Sequence, residues 1–159
     1  MAGGGEVRRR EVEVSQIEIS ALCHATEDCS RIEESIRNIL PSEARKTIVV
    51  HHDLTRGYYG NPITVMTVKI TGKNRIDLAI GHIAALLEQL EKTILRSTFD
   101  LRYDRKTGKF VIRFSKQDMI LGKLRVTDSD DVVKVVFYLK NTKNSSRVLR
   151  HLIDIGLLA

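Results

Sequence analysis

The chain has 159 residues, 42% of them hydrophobic and 29% charged, which fits one folded globular domain and excludes an intrinsically disordered chain. Lys and Arg number 26 against 20 Asp and Glu, and the resulting formal charge of +6 favours polyanionic partners, chiefly nucleic acid. No run approaches the roughly 18 consecutive apolar residues of a membrane span, and the N-terminus has no apolar stretch of the secretory kind. A cytoplasmic protein without a membrane partner is expected.

Residues 1–10 join Ala-Gly-Gly-Gly to Arg8, Arg9 and Arg10 without apolar periodicity and read as a disordered basic arm, leaving 11–159 as a single α+β domain. A first strand is expected from Val12 to about Cys23. Val12 and Val14 fall out of phase with Ile17, Ile19 and Ala21, which places a bulge near Ser15 and Gln16. Cys23 and Cys29 are too few for a disulfide framework and suit free thiols in a reducing compartment; a bridge between them is the less favoured alternative.

After His24 a helix is predicted, capped by Thr26 or Asp28 and stopped by Pro41, with Ile32, Ile36, Ile39 and Leu40 on one face. The β-branched runs 47–52 and 63–70, joined through a Gly-containing turn, predict an antiparallel pair. From Asn74 the spacing of Ile76, Ile80, Ile83, Leu87, Leu90 and Ile94 describes one straight amphipathic helix. Alternation of Phe99, Leu101 and Tyr103, then of Phe110, Ile112 and Phe114, predicts a hairpin over 98–115. One helical turn over 115–122, a strand carrying Val133, Val135, Phe137 and Leu139, and a helix from Ser145 to Ile155 complete the chain.

Together these elements predict a two-layer α+β sandwich, a mostly antiparallel sheet with two or three helices on one face. Its outer face then carries Val111, Arg113, Lys134, Val136 and Tyr138, a mixture suited to an RNA platform or to a homodimer contact.

Catalytic chemistry finds little support. His51 and His52 are neighbours on a strand and point to opposite faces, while His24, His82 and His151 lack ligand spacing. No nucleotide-binding, metalloprotease or hydrolase motif occurs, clustered carboxylates are not visible, and no catalytic residue, metal or cofactor is expected. Two polar segments stand out. In RGYYGNPI (56–63) the glycines permit close backbone approach and Tyr58 and Tyr59 suit stacking on unpaired bases; the other reading is a β-turn whose tyrosines cover a sheet edge. Between Arg102 and Arg125 lies the densest positive charge, either an RNA-binding surface or a solvated hairpin face.

HATED (24–28), YGNPI (59–63), FSKQDMILG (114–122) and DDVVKVVF (130–137) occur in the order of motifs in an archaeal family. The chain resembles that family over about residues 12–140. The family was formerly catalogued as a domain of unknown function and is described as a predicted RNA-binding protein associated with the exosome. The resemblance implies a fold similar to the large-subunit ribosomal protein that binds 5S rRNA, contact with RNA, and exosome subunits as partners; Tyr58 and Tyr59, suited to unpaired bases, make single-stranded or loop RNA the expected form. It implies no catalytic residues. Asp118-Met119 replaces the family's small apolar pair. The residues expected to meet RNA are Arg56, Tyr58, Tyr59, Asn61, Lys109, Lys116, Gln117, Lys123 and Arg125: cations on phosphates, Tyr rings on bases, Asn61 and Gln117 on base edges.

Overall fold

In β1 (Glu13–His24) every second residue from Ile17 to Cys23 is buried, the signature of a strand with one face on a core. The register shifts between Val14 and Gln16, and this bulge lets Val12 and Ile17, an odd number of residues apart, both be buried. The computed structural model describes residues 11–159, so the expected basic arm over 1–10 lies outside the described residues.

Five more strands complete one sheet: β2 (His51–Arg56), β3 (Pro62–Ile70), β4 (Tyr103–Asp104), β5 (Lys109–Ser115) and β6 (Val132–Lys140). Their order is β2-β3-β1-β6-β5-β4 and every pairing is antiparallel. The expected α+β sandwich is therefore observed. Ile17, Ile19 and Ala21 share their face with Met66, Val68, Val133, Val135, Phe137, Phe110 and Ile112, and helices cover that face.

Asp28 caps α1 (Cys29–Arg37) by accepting a hydrogen bond from the Ser30 amide at 3.0 Å, and Ile32, Ile36, Ile39 and Leu40 are buried as the stripe required. At the C-terminus Asn144 caps α6 (Ser145–Asp154), whose Val148 and Leu152 enter the core. At the β4–β5 tip Gly108 has φ +71, and a Cβ there would meet the Leu139 carbonyl oxygen at 2.7 Å, so only glycine closes this turn.

Three expectations need correction. The straight helix through Ile94 is two helices, α2 (Lys73–Leu86) and α3 (Gln89–Ser97), because Leu87 and Glu88 adopt extended ψ of 122° and 158°. The break exposes Leu90 but turns Leu95 into the core and brings the Glu91 carboxylate to accept the Val126 amide at 3.0 Å. Second, Phe99 to Arg102 is not a strand but a single helical turn, α4 (Phe99–Arg102), with Leu101 exposed. Thr98 fixes that turn, donating to the Ile94 carbonyl and accepting from Arg102 Nε, both at 2.7 Å.

Third, Cys23 and Cys29 form a disulfide. The loop after β1 turns straight back into α1 and brings the two Cα atoms to 5.7 Å, within bridging range. The cysteines thus give no argument for a reducing compartment. Among the described residues no helix is long and apolar enough to cross a membrane.

Candidate nucleic-acid interface

β2 and β3 meet in a tight turn in which the Gly57 amide donates to the Asn61 carbonyl at 2.8 Å and Gly60 takes φ +79. Nothing covers the intervening rings. Tyr58 is 95% and Tyr59 85% exposed, the two standing edge to face with centroids 5.0 Å apart. They do not cover a sheet edge, and rings presented to water next to exposed Arg56 and Asn61 are suited to stacking on a ligand.

The register decides which other segments share this end of the sheet. His24, at the end of β1, pairs with Ile63, and Val132, at the start of β6, pairs with Ser115. The Tyr turn, the 24–28 loop and the segment from α5 (Lys116–Ile120) to Asp131 therefore project from one end. Gln117, Lys123 and Arg125 are exposed there. Lys109 is not with them: it pairs with Tyr138 at the opposite end of β5, about 20 Å away at strand rise, with its ammonium 5.2 Å from the Tyr138 ring centroid.

Lys116 also departs from expectation. Its side chain is 1% exposed, and its ammonium donates to the Leu22 carbonyl at 2.8 Å while meeting Glu27 at 2.9 Å and Asp131 at 2.6 Å. Satisfied on three sides, it is not free for phosphate. It ties the ends of β1 and β6 to the loop before α1. His24, Glu27 and Asp131 form the one group among the described residues whose ligand atoms come close enough for a metal. Both carboxylates of this group are already ion-paired with the single Lys116 ammonium. Sequence reading missed the cluster because its members meet only through the fold.

The outer face of the sheet is as expected: Val111, Arg113, Lys134, Val136 and Tyr138 all lie on it. Val136 is already buried in this single chain and Tyr138 is partly covered by Lys109, so less apolar surface is left for a second copy than the pattern suggested. Arg113 and Lys134 stand directly opposite one another on β5 and β6. Beside them a groove of about 400 Å³ opens between α4, the β4–β5 hairpin and Asp128, lined by Arg102, Lys109, Val111, Arg113 and Lys134 among others. Burial lowers the pKa of the Arg102 guanidinium, Asp128 opposes this and Arg113 adds to it; the group stays charged at neutral pH.

This fold has counterparts. A protein from Archaeoglobus fulgidus described as a DUF54 family protein superposes with a TM-score of 0.76 at 24% identity, covering 90% of this chain and 99% of that one. In sequence, the chain is 33% identical over 143 residues to an uncharacterized protein of Methanocaldococcus jannaschii, covering 88% of this chain and 95% of that protein. It is 30% identical over 131 residues to an RNA-binding protein of Pyrococcus abyssi, covering 82% and 84%. A family model described as RNA binding matches residues 16–139, and the chain belongs to that RNA-binding family.

Proposed function

We propose that this protein binds RNA without catalysing a reaction, and that single-stranded or looped RNA meets the end of the sheet that carries Tyr58 and Tyr59. The exposure of these two adjacent rings carries the reading, because large aromatics left in water serve no packing purpose, while unpaired bases stack on them. Arg56, Lys123 and Arg125 surround phosphates from the same end, and Asn61 and Gln117 supply polar groups for base edges. Membership of an RNA-binding family and the basic charge support the same conclusion.

Fluorescence anisotropy with an unstructured oligoribonucleotide and a blunt duplex tests it. The unstructured RNA should bind more tightly, with an affinity that falls as salt rises. Absence of binding at low salt would overturn the reading. The expected cytoplasmic location follows from the lack of a membrane span and of a secretory stretch in the sequence, while the family resemblance supports a finer placement as an accessory of the archaeal exosome or of RNA processing, with a fold like the ribosomal protein that binds 5S rRNA. Co-sedimentation with purified exosome core is its test, and failure to co-sediment with and without RNA would remove it.

A further inference from the structure

The groove between α4 and the β4–β5 hairpin gathers four cations, Arg102, Lys109, Arg113 and Lys134, of which only Arg102 has an ion-pair partner among the described residues. Arg113 and Lys134 face each other across β5 and β6, where directly opposed side chains have Cβ atoms about 4.5–5.5 Å apart and like charges repel. Neither makes an ion pair with any described residue. Arg102 adds a third cation. Its side chain is only 10% exposed, Thr98 fixes its Nε, and its one carboxylate neighbour, Asp128, is 3.9 Å away and 98% exposed. Lys109 and Val111 also line the groove.

The remaining acidic group on the rim does not relieve this charge. Asp104 accepts from the Lys106 amide at 2.9 Å and so belongs to the hairpin tip. A fold that sets two arginines and two lysines around one concavity, with an opposed like-charged pair and a largely buried arginine side chain, is arranged for an anion that supplies several acceptor oxygens at once. Phosphate has that geometry, and the arginine fork matches it.

We propose that this groove is a phosphate-binding site that holds a phosphate of bound RNA on the outer face of the sheet, through Arg102, Arg113, Lys134 and Lys109. The proposal rests on the RNA-binding reading and extends it. The site is separate from the Tyr turn, which follows Arg56 on the far edge strand β2; from the other end of that strand the row His51, Thr67, Ser20, Lys134, Arg113 runs straight across five strands to the groove, free of carboxylates. At about 4.8 Å per strand the row spans roughly 19 Å, room for several nucleotides. The phosphate has two sources, an internal phosphodiester or a terminal monoester.

The experiment measures anisotropy over a salt series with one unstructured oligoribonucleotide, prepared with a 5′-phosphate and with a 5′-hydroxyl. The double variant Arg113→Gln/Lys134→Gln is compared with Lys73→Gln/Arg150→Gln, which removes the same charge from exposed helical positions. The groove variant should raise Kd about tenfold or more at moderate salt and flatten the salt slope by roughly 1.4, the value for two lost contacts on a single strand, and the control should change Kd by less than about threefold. Equal loss with both oligonucleotides assigns the site to the backbone; loss confined to the phosphorylated one assigns it to a terminal phosphate. In the wild type, the Arg102 and Arg113 side-chain Nε–H resonances should shift when either RNA is added. If the groove variant binds like the control and these resonances stay put while wild type binds RNA, the groove is not the site and the RNA-binding reading stands. If wild type binds neither oligonucleotide, both fall.

Discussion

Lys116 places its ammonium 2.6 Å from Asp131, so that a side chain with 1% exposure answers a carboxylate that is itself half exposed. Glu27, at 2.9 Å, completes a bridge between segments 89 residues apart in sequence. Lys116→Met keeps the apolar stem but leaves the two carboxylates facing one another and the Leu22 carbonyl without its donor. Because both acids reach solvent, the cost should be below that of a fully buried broken pair, about 1–3 kcal/mol in urea denaturation. The salt slope of RNA binding should not change. A variant of unchanged stability that binds RNA more weakly would mean that this lysine meets phosphate after all.

Ile83 on α2 and Ile112 on β5 have no exposed surface. Truncating either to Ala removes methyl groups from a continuous core and should cost about 2–5 kcal/mol. Chemical denaturation of the two single variants checks this. A loss under about 0.5 kcal/mol at both, the range of surface substitutions, would contradict the face assignment.

Tyr103 stacks on Phe99 with ring centroids 5.2 Å apart, yet its hydroxyl is buried without a hydrogen-bond partner. An unsatisfied hydroxyl in that position costs desolvation energy with no return. Tyr103→Phe keeps the ring stack and should leave stability unchanged or raise it by about 1 kcal/mol, read from the shift of the denaturation midpoint. A clear loss would reveal a partner for the hydroxyl.

How much of this was legible in the residues differs between fold and site. Period-two alternation in β1, β5 and β6 and the odd spacing of Val12 and Ile17 gave the sheet, its inner face and its bulge. The break at Leu87 and Glu88 was invisible because Leu90 and Ile94 continue the helical spacing, while the contacts made after the break, Leu95 in the core and the Glu91 carboxylate accepting from the Val126 amide, are tertiary. Lys116 looked like one more cation in a basic stretch, since nothing local shows that Glu27 and Asp131 converge on it. The opposition of Arg113 and Lys134 follows from strand register, which a list of basic residues does not contain.

His151 on α6 is half-buried, and burial lowers its pKa, with Asp154 and Glu11 acting in the opposite sense. Its folded value therefore lies below the ordinary 6.5, so at acid pH the unfolded chain binds the proton more readily. The associated stability is present above about pH 6.5 and is lost as pH falls from there through the folded value. Thermal melts between about pH 8 and 5 should show a falling midpoint in wild type and a flatter profile in His151→Gln. Parallel profiles would assign the acid sensitivity to other groups.

The turn tyrosines and the cations at the same end of the sheet make different demands on RNA, and salt separates them. Tyr58 and Tyr59 are almost wholly exposed, so replacing either with Ala should leave the fold intact. Stacking releases no counterions, and each loss should weaken binding of an unstructured oligoribonucleotide about tenfold with the salt slope unchanged. Lys123→Ala/Arg125→Ala removes two charges from the same end and should weaken binding and flatten the slope by roughly 1.4. Lys109 and Lys116 do not belong in this set, since one lies at the far end of β5 and the other is buried in its ion pairs. Anisotropy over a salt series reads both quantities from one titration set. If the tyrosine variants alter the slope, they act on phosphate placement rather than on bases. If neither pair of substitutions weakens binding while the wild type binds, the end of the sheet is not the RNA surface.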